Sequence, residues 1–485
     1  MAKLTERMQF FADAAWRLGP RAVALGLWGK GPGAWWAGRT LRARPIDPLA
    51  GADIRPLWEA HRWAGLPAEA EAFCTAWMAA HPPFAGPLWA CGQEAALRAL
   101  QLALVLPAPL PPEWAVPILH AHAQRIAANP AYAMAQDNNH PLSEAAGLFA
   151  CGLLLGRPAM ARLGAARLDR HAARLIAADG GFAQPSPSYH RLMLEVLVAA
   201  ETLRRRWSGP PASPRLLARA AAATLWLRRL TCPQTGALPR MGHQDGAAFF
   251  ASAEDARPGL AMAEALFGAT LPEATWRSMG FRGWSMAGAR AVLRTGPQPF
   301  RPAHADLLHF DLWDGPLNLL RDGGTGAYNP VPENAWWLDY FWSVRAHNTV
   351  QFDDDEPMPR VSRFLHAQWP ATGGDAQADW LRDAQGRRHS RAVRAEGREW
   401  QVRDRLEGRY ALATLRWRLA PMPWRLRPDG AESQAACITI AADSGLAVTL
   451  EQGWESLAYG QVSPCPVLVA RGPARHFETL VRLRA

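Results

Sequence analysis

Six cysteines are scattered through the 485 residues, and no two of them form a C-x-x-C pair. In a chain this long, that pattern reads as free, mostly buried thiols and excludes a disulfide framework. Long apolar runs are missing as well. The most apolar early stretch, 22–28, is far shorter than the ~20 residues that a membrane-spanning helix needs. The opening residues lack the basic, apolar and small-residue order of a signal peptide, so the expected location is cytoplasmic, with the periplasm as the alternative. Glycine-rich phosphate loops, a G-x-S-x-G elbow and zinc-finger spacing are absent, which leaves out the reactions those motifs announce.

What is present is ordinary in bulk. Hydrophobic residues make up 49% and charged residues 20%, as expected of a globular protein, and the length calls for two or three domains. The formal net charge of +10 would attract a polyanion, and both nucleic acid and acidic polysaccharide fit that description. High-GC bacterial coding gives the same arginine surplus, and nucleic-acid binding has nothing beyond charge behind it. Twenty-three tryptophans stand out. Trp stacks on flat or sugar-like ligands, but packing between helix pairs accounts for most of them equally well.

The first half has the texture of helices. Leu97, Leu100 and Leu104 fall at i, i+3 and i+7 within a helix expected over 94–106. Further helices are expected over 116–128, 143–155, 159–178, 190–207 and 215–230, with Asp179-Gly180-Gly181 and the Pro-rich 208–214 between them. Helix after helix on short loops predicts stacked hairpins, and no fixed-period repeat supports a regular solenoid. From about residue 281, short alternating runs replace these patterns. Strands are expected over 290–294, 307–313, 317–321, 348–352, 399–405, 414–419, 436–441, 446–450 and 477–483. The expected domains are therefore 1–278, helical, and 279–485, an antiparallel β-sandwich.

Three segments carry candidate chemistry. In Asn138-Asn139-His140-Pro141-Leu142-Ser143-Glu144, proline near a helix start puts Asn139 and His140 at a helix N-terminus that favours an anion; simple capping is the alternative. Ser188-Tyr189-His190-Arg191 opens another helix and offers a proton donor and an anion clamp, or a Tyr packed at a helix entry. His304-Ala305-Asp306 is expected at a strand start, with its two polar side chains on one face, followed by Asp322-Gly323-Gly324-Thr325 and His347-Asn348-Thr349. Two His and an Asp from three strands would suit zinc, and an ordinary polar network between the domains fits as well. Asp353-Asp354-Asp355-Glu356 lacks calcium-loop spacing and reads as a solvated turn, and His309, Asp311 and Asp314 read as surface or sheet residues.

Taken in chain order, these segments resemble the heparinase II/III-like polysaccharide lyases. The matching pieces also include Asp53-Ile54-Arg55-Pro56-Leu57-Trp58-Glu59 with Arg62, Asp179-Gly180-Gly181-Phe182, Gly242-His243-Gln244-Asp245 and Tyr328, so the resemblance spans roughly residues 50–360. It implies an incomplete (α/α) toroid followed by an antiparallel β-sandwich, and β-elimination on a uronate-containing polysaccharide or oligosaccharide. By resemblance, Asn139 and His140 neutralise the substrate carboxylate, and Tyr189 protonates the leaving oxygen. Glu144 steadies His140, and His190, Arg191 and His243 join Glu144 in binding substrate. His304, Asp322 and His347 hold a structural zinc. Neither nucleic acid nor membrane is an implied partner.

One departure bears on the chemistry. Many relatives carry His-x-His before the Asp, and here Pro302 stands at the first of those histidines. Proline cannot act as a base, so Tyr189, His190, His243 or Tyr328 must take that role, or activity is reduced or lost. A cytoplasmic lyase would serve surface-polysaccharide metabolism or imported oligosaccharides. The competing readings are a glycan-binding protein without turnover and a glycoside hydrolase, which would need two carboxylates across the scissile bond.

Overall fold

Ten α-helices precede the sheets among the described residues, which are 53–484 of the computed structural model apart from 68, 129, 251–253, 299–300 and 363. The first 52 residues of the expected helical domain, with the 22–28 stretch, lie outside the described residues. The helices are α1 (Arg55–Ala60), α2 (Glu71–Ala80), α3 (Gly92–Val105), α4 (Ala115–Ala128), α5 (Pro130–Gln136), α6 (His140–Leu154), α7 (Pro158–Leu175), α8 (Pro187–Arg206), α9 (Pro214–Leu230) and α10 (Arg257–Phe267). Helices α1 and α6 to α10 all have proline in their first two positions, where its missing N–H costs nothing. Ser186 and Ser213 cap α8 and α9 by accepting from the Tyr189 and Leu216 amides.

The hairpins pack as pairs around one apolar core. Leu97 and Leu100 of α3 are fully buried, and Leu104 is half-buried. Helices α6 and α7 cross at their glycines. A Cβ on Gly152 would lie 2.3 Å from the Ala161 amide nitrogen, and one on Gly164 would lie 2.4 Å from that of Phe149. Asp179 then joins the helices to the sheets, since its carboxylate accepts from the Gly181 amide at 3.0 Å and the Met279 amide at 2.8 Å.

All the strand pairing in the three main sheets is antiparallel. Thr275–Ser278, Phe281–Met286, Ala289–Arg294, Phe310–Asp314 and Leu317–Leu320 form a five-stranded meander. An eight-stranded sheet has Ala436–Ala442, His476–Leu483, Glu399–Glu407 and Arg388–Glu396 at its centre. A four-stranded sheet runs in the order Ala447–Glu455, Ser463–Gly472, Ala413–Arg418 and Val350–Phe352. Phe310, Trp400 and Trp417, one from each sheet, meet in a common core. The fold class is therefore the expected one, a toroid of helical hairpins followed by an antiparallel sandwich.

The structure differs from expectation at His304. Residues 301–309 form turns rather than a strand, and pairing begins only at Phe310. His309 and Asp311 are fully buried, His309 in a loop and Asp311 within the strand Phe310–Asp314, as the sheet alternative allowed. The Asp353–Glu356 run is a turn, as expected, with Asp353 and Asp354 both at positive φ.

Candidate active site at the seam of helices and sheets

Three loops of the sheet domain bring His304, Asp322 and His347 together, each fully or almost fully buried, with one ligand atom from each lying within 4.8 Å of the others. The Asp322 carboxylate accepts from the Gly324 amide at 2.8 Å and sits 2.7 Å from His347 Nδ1. Both ring nitrogens of His304 and Nε2 of His347 are buried with no hydrogen-bond partner. Burial drives His347 down to about 4 and pushes the Asp322 carboxyl up to about 7. Unprotonated imidazoles with three ring nitrogens left without a partner, set beside a carboxyl, form a donor set that a dication such as zinc would complete.

Beside this cluster lies the second group. His243 touches His304, Tyr328, Trp342 and Phe364 edge-on or tilted, and its Nε2 has no partner. Two residues on, Asp245 accepts from the Tyr189 hydroxyl at 2.5 Å and from Arg55 Nε at 2.7 Å. Burial and then the Asp245 charge push the Tyr189 phenol well above its ordinary value, so it keeps its proton. Arg55 also donates to Glu59, while Arg62 grips Glu94 with two bonds of 2.8 and 2.7 Å. This network anchors α1, and Asp53 extends it to the sheet loops by accepting from the Tyr459 hydroxyl at 2.5 Å.

At the start of α6, Asn139 is fully buried and its side-chain amide donates to Gln93 at 2.7 Å, while its side-chain Oδ1 has no partner. The local capping bond comes instead from Asn138, which accepts from the His140 amide at 3.1 Å. His140 Nδ1 is 3.1 Å from the Gln136 side-chain nitrogen. Burial drives the His140 imidazole down to about 3, with Arg301 adding to the effect against the opposing charge of Glu94. The site thus combines a protonated phenol, two neutral imidazoles, an amide and a guanidinium. That set can neutralise an anion and move a proton.

Residues 270–482 match the family model described as heparinase II/III-like, C-terminal. The sheet domain is therefore similar to that family's C-terminal domain. No curated protein matches the sequence. Solved structures extend the likeness into the helices. A heparinase III aligns at TM-score 0.66 and 14% identity, covering 89% of this chain and 76% of its own. The heparan sulfate lyase of Pedobacter heparinus gives 0.59 and 16%, over 89% and 76%. A chondroitinase AC lyase gives 0.54 and 11%, over 98% and 82%. At such identities the likeness is one of fold.

Against the heparinase II/III-like domain, the residues expected at the site fall into two sets. Asn139, His140, Tyr189, His243, His304, Asp322 and His347 face the seam. Three others do not. Glu144 makes no hydrogen bond to His140, because its carboxylate packs into the slot left by Gly92, where a Cβ would come within 2.5 Å of Oε1. Burial raises it to about 8, against the lowering pull of Arg125 and Arg167. His190 is turned into the helical core, stacked on Trp226 at 4.0 Å and bonded to the Ala223 carbonyl. Arg191 is buried against Glu195 at 2.7 Å, and Glu195 in turn accepts from the Phe249 amide. Helical geometry explains both, since successive residues after Tyr189 point to other faces of α8. Sequence reasoning passed over Asp245, Arg55 and Arg301, although each lies inside or beside a matching segment.

Proposed function

We propose that the protein is a polysaccharide lyase that cleaves a uronate-containing polysaccharide or oligosaccharide by β-elimination. The observation that carries this reading is the Tyr189 phenol, held protonated against Asp245 in a seam it shares with Asn139 and His140. The fold shared with heparinase III and chondroitinase AC lyase supports it. Elimination breaks the C5–H bond beside a carboxylate, forms the C4=C5 double bond and expels O4. A protonated phenol suits delivery of a proton to O4. With Pro302 in place of a histidine, Tyr189 is also the group left to take the C5 proton. Once its own proton has gone to solvent, the phenolate would accept the C5 proton and, as the phenol so formed, pass it to O4. Asp245, held as a carboxylate by Arg55, orients the phenolic oxygen. Neutral His140 and the Asn139 amide offer hydrogen bonds to the substrate carboxylate.

His304, Asp322 and His347 would hold zinc, which would tie the sheet loops together behind the cleft. His243, packed on His304, transmits that order to the substrate side. A hydrolase fits less well, because Asp245, Glu94 and Glu59 are all committed to arginines and Glu144 is turned away. Pro302 alone favours a second reading, a glycan-binding protein without turnover.

The test is incubation with a panel of uronate polymers while following absorbance of the unsaturated product. A rising signal on at least one polymer is expected. New reducing ends without unsaturation would favour the hydrolase, and binding without either product would favour the second reading.

A further inference from the structure

We propose that Arg301 supplies the positive charge that holds and neutralises the substrate carboxylate, a role that rests on the lyase reading above. His140 is neutral, driven down to about 3 chiefly by burial. Asn139 carries no charge. Arg55 and Arg62 are already matched by Asp245, Glu59 and Glu94. None of these can offset a carboxylate that gains negative charge as C5 loses its proton.

Arg301 differs from the others. Among the described residues it forms no ion pair, Nη1 makes only a 3.4 Å contact with the Gln136 carbonyl, and Nε is out of water without a partner. Its guanidinium lies 5.5 Å from the Phe364 ring centre. Its charge helps to depress His140, and the nearby Tyr132, Tyr189, Tyr328 and Asp137 act on it in turn. Arg301 therefore stands between the two halves of the site. Arg301 is only partly exposed, with its Nε out of water and no ion pair among the described residues, and the anion it lacks is what a ligand brings. The edge formed by Nε and Nη2 is the planar fork that takes a carboxylate through two parallel bonds. Pro302 contributes too, because the residue before a proline is confined to extended backbone, which limits where Arg301 can point. The residue that removes the family's histidine thus also steadies a cation.

The test uses a hexasaccharide of alternating glucuronate and N-acetylglucosamine, with its carboxyls free or methyl-esterified, and the full-length protein. Calorimetry on the wild type should show at least ~10-fold tighter binding of the free acid, as expected for a charge-assisted bidentate pair. Arg301→Gln should bind both forms equally, and Arg301→Lys, which keeps the charge, should retain part of the preference. In turnover, Arg301→Gln should lose about 10²–10³-fold in kcat/KM on the free acid, the scale of losing one preorganised stabiliser. Absence of unsaturated product from the wild type sinks the lyase reading but leaves the binding comparison to judge Arg301. A wild type without preference for the free acid, or an Arg301→Gln variant with the preference intact, overturns the assignment.

Discussion

Tyr189 owes its position to its own helix start. Ser186 caps α8 through the Tyr189 amide, and Asp245 from a separate loop takes the hydroxyl. Tyr189→Phe keeps the ring and removes only the transferable proton. Its expected result is a fall in kcat of about 10³-fold or more with oligosaccharide affinity nearly unchanged, since a positioned acid or base contributes ~10²–10⁴. Steady-state kinetics beside calorimetry would show it, and retained turnover would remove Tyr189 from the mechanism. At this scale the sequence was only partly legible. The order of motifs pointed to His304, Asp322 and His347, yet their spacing alone did not require that they meet. Glu144 sits one helical turn from His140, but the empty space over Gly92 decides where its carboxylate goes, and such a space cannot be read from a local pattern.

Among the elements, the strand Arg388–Glu396 was not legible, for a definite reason. Its inward positions include His389 and Arg391, so the alternation that marks a half-buried strand is written in polar residues. Their partner is Asp404 on the neighbouring strand, 2.6 Å from His389 Nε2 and 2.7 Å from Arg391 Nε. Arg391 also donates to the Leu308 and Asn348 carbonyls at 2.6 Å, so the same cluster braces the loop that carries His347. Asp404→Ala leaves a buried guanidinium uncompensated and should cost about 3–5 kcal/mol in denaturant unfolding. Burial favours protonation of Asp404, but Arg391 and His389 outweigh it and hold the carboxyl at about 2. A carboxyl depressed in the folded state stabilises above its unfolded value of ~3.9 and loses that contribution as pH falls from there toward 2. Melting temperature followed over pH 5 to 2 should drop across that window in the wild type and more shallowly in Asp404→Asn. Parallel curves would contradict the account.

For the whole molecule, the change of texture from helical periodicity to short alternating runs made the two-part architecture legible before any contact was known. It could not show the seam, which depends on long-range pairs such as Arg55 with Asp245 and Asp53 with Tyr459. If zinc occupies the His304, Asp322 and His347 cluster, metal analysis should find about one zinc per chain, and chelation should lower the melting temperature. Metal-free protein that melts unchanged would dismiss that part of the proposal. The central claim, elimination at a seam built around Tyr189, is tested most directly by digesting a uronate polymer in heavy-oxygen water and weighing the products. Elimination adds no water, so the account predicts unsaturated ends without heavy oxygen. Saturated products carrying one heavy oxygen per cleavage would contradict it.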